Sequence, residues 1–419
     1  MQRRVFVRSG ALALVTLGLS PSFLRRTAFA ADLPRARKGK VLVCLFQRGA
    51  ADALNVVVPH GERAYYRLRP NIAVARPGGD AASALDLDGF FGLHPSLGAL
   101  HRLYKDGLLA PIHAVGSPSA TRSHFDAQDY MESGTPDQRA TRDGWLNRYL
   151  AVAGTCEATC PRKPFRAVAM TAQTPRILEG PAPAVAMTSL GDFNVRATGN
   201  SVDRLEALYR TGTADLVHAS GQEMFDAVKL LTSANPARYL PRNGAEYPRS
   251  PFGQRLREIA QLIRSDVGME VAFADVGGWD THVNQGGGTG QLAARLRDFG
   301  DSIGAFVVDL GDGMDDVVIL TMSEFGRMAR QNGTGGTDHG HAGSMFVIGT
   351  RVRGGTVHGR WPGLEAEQLF EGRDLALTTD FRAVFSELLD RHLGATDLSR
   401  IFPGYEGRRL DWPDVVAPA

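Results

Sequence analysis

Short, unbroken apolar runs recur along this chain and alternate with longer segments whose apolar residues return every three or four positions. KVLVCLF, LLAPIHAV, RAVAM, MEVAFADV, DDVVILTMS and SMFVIG are the unbroken runs. They lack the in–out alternation of a half-exposed strand, and so predict strands covered on both faces. PSLGALHRLYKDG, SHFDAQDYMESG, DGWLNRYLAVAG, PFGQRLREIAQLIRSD, TGQLAARLRDFGDSIGAFVVDLGD and TTDFRAVFSELLDRHLG carry the helical period. The first ends at a glycine. The second opens on Ser123 with Asp126 three residues on, a capping-box-like start. Residues 201–267 read as mainly helical, a helical insertion at about 200–267. Buried strands alternating with helices predict an α/β fold with a central, mostly parallel sheet sandwiched by helices. One domain over 31–419 is expected, because sheets of this kind are often a single unit at this size.

The first thirty residues stand apart from that pattern. Arg3, Arg4 and Arg8 precede an apolar stretch that ends at Ala28-Phe29-Ala30, an A-x-A cleavage pattern. The stretch is short and interrupted by Arg25 and Arg26, so it reads as a secretory signal over 1–30 rather than a membrane span. The string Arg3-Arg4-Val5-Phe6-Val7-Arg8 resembles a twin-arginine signal, the address of proteins exported already folded; an ordinary secretory signal is the alternative. The expected location is periplasmic or secreted. No later run is long and apolar enough to span a bilayer.

Composition narrows the partners. The formal charge of +2 includes five arginines and no acids from residues 1–30, so the mature chain sits at about −3 and offers no electrostatic case for nucleic acid. Of three cysteines, Cys44 lies inside a strand pattern and reads as a small hydrophobe. Cys156 and Cys160 flank a three-residue loop segment and fit a local disulfide or free thiols; no further cysteine or nearby histidine supports metal ligation there.

In parallel sheets, sites form in the loops past the strand ends. Past KVLVCLF comes QRGAADALN with Asp52, and past LLAPIHAV comes GSPSATRSHF with Arg122, Ser123 and His124. Past MEVAFADV comes GGWDTHVNQ with Asp280 and His282, and past DDVVILTMS comes SEFGR with Glu324 and Arg327. GTDHGHAG, just before the run SMFVIG, adds Asp338, His339 and His341. Taken singly, Asp52 also fits a turn, Ser123 a helix cap, Asp280 and His282 a hydrogen-bonded loop pair, and Glu324 with Arg327 a salt bridge. Together they place acids, imidazoles and a hydroxyl at one sheet edge. Imidazole with carboxylate suits zinc or manganese better than calcium, so a divalent-metal site of one or two ions is expected. His358 is a further candidate ligand or a surface hairpin residue. His60, His94, His101 and His113 are read as helix or loop histidines with no role.

The twin-arginine start with QRGAADALNVVVP, TRSHFDAQDYMESG, GGWDTH, SEFGR and GTDHGHAG resembles the exported bacterial family named domain of unknown function 1501, over nearly the whole mature chain. That family resembles a branch of the alkaline phosphatase-like superfamily, which includes sulfatases and metal-dependent phosphoglycerate mutases. The resemblance implies an alkaline phosphatase-like fold. It implies Asp52 as a first metal-ligand acid, Ser123 as nucleophile at a helix start, and Asp338-His339 as an adjacent ligand pair. Asp280 and His282 match its other pair with a shorter spacing, and His341 or His358 would supply the last histidine. No Cys-x-Pro-x-Arg sequence is present, which argues against a formylglycine sulfatase.

These readings lead to an exported metal-dependent hydrolase of an anionic phosphate or sulfate ester. Ser123 would attack; Asp52, Asp280, His282, Asp338, His339 and His341 would hold metal; Arg122 or Arg327 would bind ester oxygens; and Glu324 would orient a ligand, with His124 among the catalytic candidates. The alternative is a degenerate, non-catalytic protein of the same fold, binding or assembling a cell-envelope partner.

Overall fold

The computed structural model describes residues 39–138, 141–153, 165–192 and 239–417. The expected signal segment at 1–30, Cys156, Cys160 and much of the expected helical insertion lie outside them. Within that insertion, Pro251–Arg264 forms the expected helix.

Eleven strands are numbered in chain order among the described residues. Eight build the main sheet: β1 (Val41–Gln47), β5 (Leu109–Gly116), β6 (Ala167–Ala169), β7 (Val185–Ala186), β8 (Val271–Val276), β9 (Val317–Met322), β10 (Gly343–Ile348) and β11 (Thr379–Asp380). Their order is β11-β5-β10-β9-β1-β8-β6-β7. β2 (Val57–Val58), β3 (Leu85–Asp86) and β4 (Gly92–Leu93) form a small antiparallel sheet that the sequence pattern does not signal, because each strand is only two residues long.

The helices of eight or more residues are α1 (Gly98–Lys105), α2 (His124–Ser133), α3 (Trp145–Val152), α4 (Pro251–Arg264), α5 (Gln291–Leu310) and α6 (Phe381–Arg391). They cover both faces of the sheet, and β1 shows why its sequence is unbroken. Val41, Val43 and Leu45 pack with side chains of α1, α4 and α5 on one face. Leu42, Cys44 and Phe46 pack with side chains of α3 and α6 on the other. Neither face is open to water, so neither takes a polar residue. Cys44 is wholly buried, and burial pushes its thiol up, so it packs as a hydrophobe. Among the described residues no helix is long and apolar enough to cross a membrane.

β1 runs parallel to β8 and β9, β8 to β6, β6 to β7, and β11 to β5. β10 is the exception and runs antiparallel to both β5 and β9. This reversal matters for the site. It brings the residues that precede β10, GTDHGHAG, to the same edge as the residues that follow β1, β5, β8 and β9.

Candidate metal centre

Two glycines of GTDHGHAG exist for close packing. A Cβ on Gly336 would lie 2.3 Å from the carbonyl carbon of His282, and one on Gly340 the same distance from that of Arg327. Only a bare backbone lets this loop lie against both neighbours. Backbone bonds then lock it: Gly326 N donates to His341 O, Gly340 N to Gly326 O, and Met328 N to Asp338 O.

Three loops meet here. Ser123 caps α2, its Oγ accepting from Asp126 N at 3.5 Å, and the helix opens directly on His124. The loop after β8 carries Asp280 and His282, and the loop before β10 carries His339. The Nε2 atoms of His124 and His339 lie 3.0 Å apart, His339 Nε2 lies 3.2 Å from Asp280 Oδ1, and His124 Nε2 lies 3.6 Å from that oxygen. The three residues thus present donor atoms within 4.8 Å of one another. His282 Nε2 forms a second triangle on the same edge, 3.0 Å from His339 Nε2 and 3.0 Å from Asp280 Oδ1. Ligands about 2.1 Å from one tetrahedral ion lie about 3.4 Å apart, so each triangle has the size of a coordination face.

The far nitrogen of each ring decides what the near one offers. His124 Nδ1 faces Glu324 Oε1 at 2.8 Å, His282 Nδ1 faces Asp338 Oδ1 at 3.1 Å, and His339 Nδ1 faces the carbonyl oxygen of Arg122 at 2.9 Å. Carboxylates and carbonyls only accept, so each neutral ring carries its proton on Nδ1 and turns an Nε2 lone pair toward the others. Three lone pairs and a carboxylate oxygen therefore converge. This is the arrangement in which oriented histidines hold a metal.

The charges fit. Burial pushes the Asp280 carboxyl up, but the fully buried Arg327, donating at 2.5 Å, outweighs burial and holds the group below its usual range. The bond to Glu324 raises His124 above the ordinary histidine value against the effect of burial. Burial lowers His339, and neighbouring His124 and Arg327 add to that. Glu324 is itself fixed by Gln128 and the amide of Gly49 on Oε1, with Ser323 on Oε2.

Several expected residues sit elsewhere. Asp52 does not face the donor atoms: its carboxylate is buried and forked by Arg69 at 2.6 and 2.9 Å, with Gln285 donating at 2.6 Å. A guanidinium already holds both oxygens, which commits this carboxylate to Arg69 and Gln285. Asp338 orients His282 and accepts from Asn332 rather than joining the cluster. His341 is buried and stacked on Phe370 with ring centroids 4.1 Å apart. The two nitrogens of His358 face the carbonyls of Pro413 and Arg353. Arg122 is committed to Asp374 and Glu371, and Arg327 to Asp280 and backbone carbonyls of Gly49, Ala50, Trp279 and Thr337. The pattern of the sequence does not single out Arg69, Gln128, Gln285 or Asn332. Gln285 stands at the end of GGWDTHVNQ, but Arg69 carries no local signal.

With this geometry in hand, the comparisons place the chain. A family model described as protein of unknown function, DUF1501, matches residues 39–402, so the chain belongs to that family. A search of curated proteins returns no match. Among solved structures the chain is similar to the lipoteichoic acid synthase LtaP from Listeria monocytogenes, at 8% identity and a TM-score of 0.29, over 72% of this chain and 62% of that one. The likeness thus spans less than two thirds of that protein, and at this TM-score it bears on nothing further.

Proposed function

We propose that this DUF1501 member is an exported metal-dependent hydrolase of phosphate or sulfate esters. One divalent ion, zinc or manganese, is held by His124, Asp280 and His339, with His282 on the adjoining triangle. The observation that carries this reading is the convergence of three Nε2 lone pairs on one carboxylate oxygen. Arg327 offsets the charge of the Asp280 oxygen but nothing among the described residues separates the three Nε2 lone pairs, and three separate acceptors hold the rings in that pose. Mixed imidazole and carboxylate donors favour zinc or manganese over calcium.

A bound ion of this kind lowers the pKa of a hydroxyl or water and polarises an ester oxygen. Ser123 is the candidate nucleophile: it immediately precedes His124 and caps α2, where the positive end of the helix favours negative charge. Glu324, Asp338 and the Arg122 carbonyl face the Nδ1 atoms and so keep the Nε2 atoms aimed at one another. Arg327 keeps Asp280 ionised. Export rests on the basic, apolar and A-x-A segments of residues 1–30.

One observation favours the non-catalytic alternative, a metal-bearing protein that binds or assembles a cell-envelope partner. Both arginines expected to take ester oxygens are already paired, Arg122 with two acids and Arg327 with Asp280. Elemental analysis of the folded mature protein, followed by assay on an aryl phosphate and an aryl sulfate, separates the two. Near one equivalent of metal with turnover supports the hydrolase. Metal without turnover on any ester leaves the binding protein, and no metal even after reloading rejects the hydrolase.

A further inference from the structure

Beneath the centre lies a buried polar chain that touches none of the donor atoms. Gln285, Asp52, Arg69 and Thr337 are all 0% exposed and Thr281 only 4%. Gln285 Nε2 donates to Asp52 Oδ2 at 2.6 Å. Its Oε1 accepts from Thr281 Oγ at 2.6 Å and from Thr337 Oγ at 3.0 Å. The amide has only one self-consistent orientation, because a carboxylate can only accept and the two hydroxyls are placed to donate. Arg69 fixes the carboxylate in turn with two bonds, and Asn55 Oδ1 and the carbonyls of Met328 and Ala329 take its other donors.

The placement of the two threonines gives the chain its meaning. Thr281 lies between Asp280 and His282, and Thr337 lies two residues before His339. One amide oxygen therefore ties the loop after β8 to the loop before β10, and Thr337 N donating to Thr281 O at 3.1 Å runs alongside. The His282–Asp280–His339 triangle is formed across these same two loops, with edges of 3.0 to 3.2 Å, and the other triangle shares its Asp280–His339 edge.

We infer that Gln285 is the positioning residue of the metal centre, and that the buried Asp52–Arg69 pair holds it in register so that the two ligand-bearing loops keep their spacing. This rests on the metal-centre reading above. It assigns Asp52 a function in place of the ligand role expected from its position after β1. It also accounts for an ion pair buried where two polar groups would otherwise only cost stability.

The test uses Co(II) as the probe, because its visible d–d spectrum reports ligand geometry independently of catalysis. Full-length mature protein, Gln285→Glu and Thr337→Val are titrated with Co(II) and with Zn(II) against a chelator. Gln285→Glu keeps the shape but turns an oxygen toward Asp52. It is expected to weaken metal binding about 10- to 100-fold, the range seen when a group that orients a ligand is altered, and to shift the Co(II) bands. Thr337→Val removes one of the two hydroxyls, keeps the fold if Gln285→Glu does not, and is expected to give a smaller loss with a shift in the same direction. A residue that merely supports the fold would lower the unfolding midpoint and leave the Co(II) spectrum of the folded protein unchanged. An unchanged spectrum with affinity within twofold in the folded variants overturns the inference and leaves the metal centre standing. Failure of the unaltered protein to bind either ion overturns both.

Discussion

His124 and His339 face each other through Nε2 atoms 3.0 Å apart, while the Nδ1 of each is already turned to an acceptor, Glu324 in one case and the Arg122 carbonyl in the other. Two neutral imidazoles in this pose cannot hydrogen-bond to each other; either a proton or a metal ion must lie between them. His124→Ala and His339→Ala should each weaken zinc binding by more than about 100-fold, beyond the effect of residues that only orient a ligand. Elemental analysis and chelator competition check this. Retention of stoichiometric, tight metal in both variants would remove these residues from the site.

Ser123 combines two duties that two substitutions separate. Ser123→Ala removes the α2 cap and should cost about 1 kcal/mol of stability. Ser123→Asn keeps a capping oxygen and should unfold close to the unaltered protein. Ester hydrolysis should be lost in both if the hydroxyl is the nucleophile. Turnover at the original rate in both variants would leave Ser123 a cap alone.

Asp52 and Arg69 are each 0% exposed in their side chains and are joined by two bonds of 2.6 and 2.9 Å. Asp52→Asn leaves Arg69 charged and uncompensated in the interior, at a cost of about 3–5 kcal/mol. Urea unfolding measures the loss. At saturating zinc the folded fraction should still hold the same number of ions, because Asp52 is not aimed at the donor atoms. A missing equivalent would return Asp52 to the ligand set.

Acid stability should be governed by buried histidines outside the donor set. Burial lowers His94, His113 and His392 to about 4 each. His113 Nε2 donates to Val57 O while its Nδ1 accepts from Ala114 N, so the neutral ring is fully used. The unfolded chain binds protons on these rings near pH 6.5, before the folded chain does. Their contribution is therefore complete above about pH 6.5 and is lost progressively as the pH falls toward about 4. For His113 the shift corresponds to roughly 3 kcal/mol. Urea midpoints measured between pH 7.5 and pH 4.5 should fall. A His113→Gln variant should show a shallower slope; an equal slope would exclude this ring as a source.

Much of this molecule can be read along the chain, and the reasons are local. Strands covered on both faces carry unbroken apolar runs, so β1, β5, β8, β9 and β10 stand out, and Ser123 with Gly134 brackets α2. The two-residue strands leave no period to detect. Similarly, the loops at the strand ends name His124, Asp280, His282 and His339 through residue type and position.

Tertiary structure decided which of those candidates meet. The sequence by itself determined the layered α/β pattern and the short roster of acids and imidazoles at loop positions, because burial and helical period act over neighbouring residues. It did not determine that β10 runs against β5 and β9, and that reversal is what brings His339 to the edge shared with His124 and Asp280. Nor did it determine that Asp52 is taken by Arg69, that His341 lies on Phe370, or that Asp338 serves His282 from outside the donor set. Lone-pair direction, the capture of a carboxylate by a distant guanidinium and the spacing between two loops are relations across long stretches of chain. No local pattern records them, and only the packed fold fixes which partner each polar group finds.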